Sequence, residues 1–244
     1  MNILESAKLA KEASYTFKNL DDSKRNKVLE SLIKNLELFK DEIISNNQLD
    51  IDLGIKNNLQ SALIDRLTLN ESRIYSMIDG IKQIISLQDP TNIVLEHRLL
   101  ENGLDIKKVS VPFGTIGIIY ESRPNVTIDC AALCIKSGNT CILKGGKEAF
   151  NSNKFLVSLI SKSLKENNLD ENIVVLANNP SREEVSLLMK AKEYVDLLIP
   201  RGSAGLIKHT VENATVPVIE TGSGICHVFV DKEFDEEMAT NIII

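Results

Sequence analysis

Val111-Pro-Phe-Gly-Thr-Ile-Gly-Ile-Ile-Tyr-Glu-Ser-Arg-Pro-Asn-Val-Thr127 is the stretch on which the fold turns. Its middle, residues 116–120, is a short apolar run without polar alternation, the pattern of a strand buried on both faces. It ends in the polar turn Glu121-Ser-Arg-Pro124, and Asn125 opens an apolar helical stretch over 126–137 that Gly138 stops. The same handover from strand to helix recurs downstream. Strands are expected at 140–144, 173–177, 195–200 and 216–220, and helices at 149–166, 183–190 and 203–212, with Ser181 and Glu184 at capping-box spacing. Short apolar strands separated by helices make βαβ units, hence a parallel sheet covered on both faces.

Upstream of that stretch the chain reads as helices. Ile3, Ala7, Ala10, Ala13 and Phe17 share one helical face, and Asp21-Asp-Ser23 ends that pattern and caps a second helix striped by Val28, Leu32, Leu36 and Phe39. Ile74, Met77, Ile78, Ile81 and Ile85 mark a third, with Thr68 and Glu71 at capping-box spacing before it and Pro90 closing it. These stripes read as core, Met77 included. Segments 94–100 and 104–111 then flank Glu101-Asn-Gly103, where Asn-Gly suits the positive φ angles of a type I′ hairpin turn. The alternation slips at Lys107-Lys108, as at a bulge. A hairpin this long exposes an edge, which is either a subunit contact or a surface flap. At the other end, 224–231 reads as a further strand. Residues 236–244 start a helix that runs out in isoleucines needing a surface to cover them, so the chain is expected to be a fragment.

Composition bounds the function. The 244 residues carry 28 Lys and Arg against 34 Asp and Glu, a net charge of -6, with 5% aromatics. An acidic, aromatic-poor chain has no global electrostatic grip on nucleic acid, although a local basic site for a small anion stays open. The sequence opens without a basic-then-apolar leader and no apolar run reaches membrane-spanning length, so a cytoplasmic protein without a membrane partner is expected. Cys130, Cys134, Cys141 and Cys226 lie among apolar neighbours and read as reduced thiols, not a disulfide framework. His97, His209 and His227 lack metal-ligand spacing, so no metal is expected.

Strand ends carry the candidate chemistry, because α/β sheets bind ligands at their carboxyl edge. Asn125 there is either a helix cap or an amide donor aimed at a developing oxyanion, and Arg123 either holds a carboxylate or phosphate or pairs with a surface acid. Lys144-Gly145-Gly146-Lys147 is either a plain turn with solvated lysines or a close backbone approach flanked by charge for a ribose phosphate. Arg201-Gly202-Ser203 opens a helix, so the free N–H groups either bind an anion or are simply capped by Ser203. Glu220, ending a strand before a glycine-rich turn, is the one acid placed for general-base work. Gly222-Ser-Gly224 begins like a dinucleotide fingerprint, but His227 stands at the third glycine position and a strand follows, so the fingerprint fails. This is an α/β nucleotide-binding type of layout, one that a non-catalytic nucleotide-binding module would share with an enzyme. No Gly-x-Ser-x-Gly elbow supports a hydrolase.

With Lys136-Ser-Gly-Asn-Thr-Cys-Ile-Leu-Lys-Gly-Gly-Lys-Glu-Ala149, Asp196-Leu-Leu-Ile-Pro-Arg-Gly-Ser-Ala-Gly-Leu206 and Pro217-Val-Ile-Glu-Thr-Gly-Ser-Gly-Ile-Cys-His-Val-Phe-Val-Asp231, the opening stretch resembles the gamma-glutamyl phosphate reductase family (glutamate-5-semialdehyde dehydrogenases) of the aldehyde dehydrogenase superfamily. Ala62-Leu-Ile-Asp-Arg-Leu67 and the Asn-Gly hairpin also fit. The resemblance implies an α/β fold: a Rossmann-type parallel sheet with N-terminal helices and a protruding β-hairpin, the catalytic domain largely absent. Its parts would be helices over 1–90, an oligomerisation arm over 91–111, an NADPH-binding core over 112–231, and the start of a connection to the catalytic domain over 232–244. It further implies NADPH-dependent reduction of L-glutamyl 5-phosphate to glutamate 5-semialdehyde and phosphate in proline biosynthesis, a homo-oligomer at full length, and functional coupling to glutamate 5-kinase. By the same resemblance Asn125 is the oxyanion donor and Arg123 meets substrate. Lys144 and Lys147 face the adenosine ribose and its phosphate, Gly202-Ser203 the pyrophosphate, and Glu220 matches the superfamily's general base. The family's nucleophilic cysteine stands in an Arg-Pro-Ser-x-Cys type segment that these residues do not contain, so the chain alone is expected to be inactive.

Overall fold

The computed structural model describes residues 2–177, 181–220, 222 and 227–243, without the side chain of Arg182. Helices α1 (Ile3–Phe17), α2 (Asp22–Leu38), α3 (Lys40–Lys56), α4 (Ser61–Leu67) and α5 (Glu71–Ser86) come first. Their starts are fixed locally. The Asn2 side chain accepts from Glu5 N while the Glu5 carboxylate accepts from Asn2 N, and Asp21 caps α2 by accepting from Lys24 N. The third expected helix, α5, is capped by Asn70 and not by Thr68: Asn70 Oδ1 accepts from Arg73 N at 2.9 Å, while the Thr68 hydroxyl donates back to the Ile64 carbonyl at the end of α4. Helices α3 and α4 lie where the sequence showed no apolar stripe.

Strands β1 (Val94–Leu99) and β2 (Asp105–Val109) form an antiparallel ribbon on their own, exposed throughout except at half-buried Ile106. Its turn departs from the type I′ expectation. Gly103 takes φ +85° but Asn102 does not enter the left-handed region, and Gly103 N donates to the Leu100 carbonyl at 2.9 Å. That is a three-residue loop closed by a left-handed glycine. The bulge is on β1, where Val94 faces Val109 but Glu96 faces Lys108, leaving Leu95 extra; Lys107 and Lys108 pair regularly.

The rest alternates: β3 (Thr115–Tyr120), α6 (Asn125–Lys136), β4 (Thr140–Lys144), a 3-10 turn (Lys147–Ala149) running into α7 (Phe150–Glu166), β5 (Val174–Leu176), α8 (Arg182–Lys190), β6 (Leu197–Arg201), α9 (Ala204–Asn213) and α10 (Glu236–Ile243). The four strands pair in parallel in the order β5-β4-β3-β6. Period-2 alternation divides them between two cores. Ile116, Ile118 and Tyr120 join the core under α2, α5, α6 and α7, while Ile119 and Ile142 join the one under α1 and α8. Each fully buried isoleucine contributes about 1.5–3 kcal/mol, so both layers stabilise the sheet.

Two expectations about the end of the chain are corrected. Residues 216–220 form no strand; they touch the sheet through one parallel bridge, Val218 to Leu198, with Ile219 N donating to the Leu198 carbonyl. Of the expected strand 224–231, residues 227–231 are irregular, and 224–226 lie outside the described residues, as do Cys226 and most of the Gly222-Ser-Gly224 turn. No helix among the described residues is long and apolar enough to cross a membrane.

The entry to β3 depends on one glycine. Gly114 has φ +118°, and a Cβ there would lie 2.2 Å from Asp196 Oδ2, which is fixed by Lys11 Nζ at 2.7 Å and by Thr115 N at 2.8 Å. Gly114→Ala should therefore cost about 2 kcal/mol or more, since it combines backbone strain with loss of a buried-edge ion pair. Urea unfolding of the two proteins measures this; an unchanged midpoint would mean that the turn relaxes freely.

Candidate functional site

Parallel pairing brings all the strand C-termini to one edge. Ile119 pairs with Lys144 and Tyr120 with Arg201, so the turns over 121–124, 145–149 and 202–203 lie side by side. Beneath them is a polar floor. The Tyr120 hydroxyl lies 2.7 Å from Thr127 Oγ1, and Thr127 Oγ1 donates to Asn153 Oδ1 at 2.8 Å. Burial drives the Tyr120 phenol far above its ordinary range, so it stays a hydrogen-bonding hydroxyl. A Cβ on Gly145 would lie 2.3 Å from Asn153 Nδ2 and 3.1 Å from the Tyr120 ring, and one on Gly146 would lie 2.8 Å from the Glu148 carboxylate. Gly145 is thus demanded by the way its turn presses on this floor, whereas at 146 the Glu148 side chain could swing aside. Lys144 is buried, 5% exposed, with Nζ donating to the Gly145 carbonyl at 3.1 Å. Burial draws its pKa down, against the pull of the Glu184 and Glu148 carboxylates. Lys147 and Arg201, by contrast, are exposed and make no hydrogen bond or ion pair among the described residues.

The rim at α9 is not open. Ser203 caps the helix, its Oγ accepting from Leu206 N at 3.4 Å, and its hydroxyl donates to Glu121 Oε1 at 2.7 Å. A Cβ on Gly202 would meet Glu121 Cδ at 2.6 Å. The Glu121 carboxylate therefore lies across Gly202 at the N-terminus of α9, where free N–H groups and the helix dipole draw an anion. Nothing in the neighbouring residues announces it, because Glu121 and Ser203 meet only once β3 and β6 are paired.

Asn125 is the first residue of α6, which Pro124 precedes; it is not the cap. Its Nδ2 donates to Asp129 Oδ2 at 3.1 Å, one turn further on, which engages one amide N–H and leaves the other. Asp129 is half-buried, and that burial raises its pKa while the Asn125 bond restrains the shift. Asn125, Asp129 and Arg123 form one wall of a cleft of about 360 Å³ whose other wall is α4 and α5, with Arg66, Arg73 and Met77. Arg73 is tied to Asp65 Oδ1 at 2.8 Å and to the Thr68 carbonyl at 2.8 Å. The guanidinium groups of Arg66 and Arg123 have no partner among the described residues. Met77 is both core, as expected, and cleft wall. Asp129 was legible in principle as the i+4 neighbour of Asn125; Arg66 needed the fold. A shallower depression of about 580 Å³ on α7 lies toward the amino edge of the sheet, lined by the ion-paired Lys162, Glu166, Lys165 and Glu171, and is no part of this site.

Glu220 is exposed, and its carboxylate has no partner among the described residues. The Val218–Leu198 bridge brings it level with Pro200, at the same edge but outside any strand. Among the cysteines, Cys134 and Cys141 are buried and Cys130 half-buried, all three free thiols.

No family model matches the chain. A gamma-glutamyl phosphate reductase of Carboxydothermus hydrogenoformans is 50% identical over 242 residues, covering 99% of this chain and 58% of that protein. The crystal structure of the gamma-glutamyl phosphate reductase of Thermotoga maritima superposes with a TM-score of 0.92 at 42% identity, covering 100% of this chain and 59% of that one. A probable aldehyde dehydrogenase from Listeria monocytogenes EGD-e shares the fold alone, with a TM-score of 0.67 at 14% identity over 91% of this chain and 45% of its own. Somewhat more than half the length of these reductases is thus spanned, on the aldehyde dehydrogenase fold, and the chain belongs to the gamma-glutamyl phosphate reductase family.

Proposed function

We propose that this chain is the coenzyme-binding part of an NADPH-dependent reductase that converts L-glutamyl 5-phosphate to L-glutamate 5-semialdehyde and phosphate, in the cytoplasmic synthesis of proline. The observation that carries the reading is the carboxyl edge of the sheet. There, Lys147 and Arg201, two cations without a partner among the described residues, stand at the same edge as a helix N-terminus that already holds an anion, the Glu121 carboxylate. That carboxylate supports the reading, since a pyrophosphate group would take the same donors once Glu121 swings away. Lys147 and Arg201 then meet phosphate charge, and Lys144 serves the ribose from the strand end. When bound, the coenzyme supplies the hydride.

The chain's own residues do the rest by position. The free N–H of Asn125, at the positive end of α6, faces the carbonyl oxygen as charge builds on it. Arg123 holds the substrate beside it. Glu220 at the rim is the superfamily's base, a duty that an acyl phosphate reductase does not need. The nucleophilic thiolate belongs to the family's Arg-Pro-Ser-x-Cys type segment, which these 244 residues do not contain, so the chain alone would not turn over. The β1–β2 ribbon, with its exposed Leu95, Leu99 and Leu104, serves as the oligomerisation arm, and glutamate 5-kinase is the enzyme to which the activity couples.

Titrating the chain with NADPH and NADH by calorimetry tests the coenzyme reading. NADPH should bind more tightly, and Glu121→Gln should tighten it about threefold to tenfold by removing a competing carboxylate from the end of α9. Equal affinities for the two coenzymes would count against the cationic edge, and weaker NADPH binding by the variant would mean that Glu121 contacts the ligand.

A further inference from the structure

We infer that the cleft between α4–α5 and the start of α6 receives the α-amino acid end of the substrate, with Arg66 and Arg123 holding its carboxylate and Asp129 its ammonium group. This rests on the reductase reading and adds the residues that would make such an enzyme selective for an amino acid. The cleft, about 360 Å³, is of the size that suits a small ligand. Its charges are not internally balanced. Arg73 is engaged by Asp65 and by carbonyls of the α4 C-terminus, whereas Arg66 and Arg123 are left without partners among the described residues. Two free guanidiniums facing one cleft fit a planar carboxylate, which each can bind through paired N–H groups.

Asp129 has the complementary need. It is half-buried, its hydrogen-bonding partner is the neutral Asn125 amide, and no described cation pairs with it. A carboxylate in that setting gains most from a cationic ligand. Burial already pushes its pKa upward, and a bound ammonium would draw it back down. Besides Thr68 and Ser76 the lining includes one apolar side chain, Met77, which suits methylenes. Asn125 joins the two halves, since its amide touches Asp129 on one side and borders the cleft toward the turn that carries Arg123. A ligand with an amino acid head, a short apolar spacer and a reacting carbonyl at its far end satisfies every one of these groups. A simple aliphatic aldehyde satisfies Met77 alone.

Competitive inhibition of the full-length protein that carries this chain tests the assignment, with L-glutamate, glutarate (no ammonium) and 4-aminobutyrate (no α-carboxylate) set against the semialdehyde. L-glutamate should inhibit about tenfold or more better than either relative. Asp129→Asn should remove its advantage over glutarate and spare that over 4-aminobutyrate, and Arg66→Gln should do the reverse. Ratios of inhibition constants within one preparation do not depend on how much of a variant folds. Equal inhibition by all three compounds in the unaltered protein, or ratios untouched by both substitutions, would overturn the assignment. A full-length protein that does not turn over the semialdehyde at all would overturn the reductase reading, and this inference with it.

Discussion

Asn125→Ala in the full-length protein that carries this chain should lower kcat about 100- to 1,000-fold while leaving coenzyme affinity unchanged, the usual penalty for deleting one oxyanion donor. The expectation rests on where the amide stands. It begins α6, so the helix dipole adds to the pull of its N–H, and the bond to Asp129 at 3.1 Å fixes its rotamer with one N–H left to donate. Alanine is the better helix former at an unstrained first-turn position, and the bond lost is the one to Asp129, so folding should survive the change. Asn125→Asp separates donor from shape. A carboxylate of the same size cannot donate when ionised, so it should be as slow as alanine. Steady-state rates with a parallel coenzyme titration measure both variants. A fall of less than about fivefold in either would leave Asn125 as a helix residue with no part in the reaction.

How legible this architecture was depends on which residues face inward. The parallel sheet could be read because β3, β4 and β6 are apolar runs between helices, and α1, α2 and α5 because their stripes are aliphatic. Helix α3 escaped because its buried face is Ile43, Asn47, Asp50 and Gly54: helical spacing written in polar letters. Those residues are buried because they serve distant backbone. Asp50 accepts from Asn151 N at 3.1 Å and from Ser152 N at 2.8 Å, capping the start of α7 from 101 and 102 residues away, and Asn47 accepts from Leu69 N at 2.6 Å. A hydropathy pattern cannot register such pairs. The hairpin was visible from Asn102-Gly103, but its turn type is set by loop length, which put only the glycine in the left-handed region. The site divides in the same way. Asn125, Lys144 and Ser203 could be picked out because strand ends are where ligands bind, whereas Glu121 and Arg66 depend on contacts between separate βα units and between helices and sheet.

The second large effect concerns the thiols. If the nucleophile lies elsewhere, Cys130 and Cys141 should be poor nucleophiles in the folded chain, as their surroundings favour, while Cys134 is buried beside them. Burial first, then the neighbouring Cys134 and Asp129, pushes Cys130 up to about 12, with Arg201 pulling weakly the other way. The Cys141 thiol is raised by its hydrogen bond with Cys134 and by complete burial. At pH 7.5 the Cys130 thiol is therefore ionised on the order of one part in 10⁴ to 10⁵, against about one part in ten for a free cysteine. The greater intrinsic reactivity of a more basic thiolate recovers part of this, leaving alkylation on the order of 100-fold slow before burial is counted. Site-resolved mass spectrometry after timed iodoacetamide treatment should therefore show Cys130 nearly inert at pH 7.5. Its rate should climb about tenfold per pH unit to pH 10 without a plateau, because the folded pKa lies above that window. A catalytic thiol behaves oppositely, reacting fast near neutrality and levelling off there, since a low pKa is what makes it a nucleophile at all. A plateau near pH 7 at any of the three would place the reaction's thiolate inside this sheet domain and would remove the reason for expecting the isolated chain to be silent.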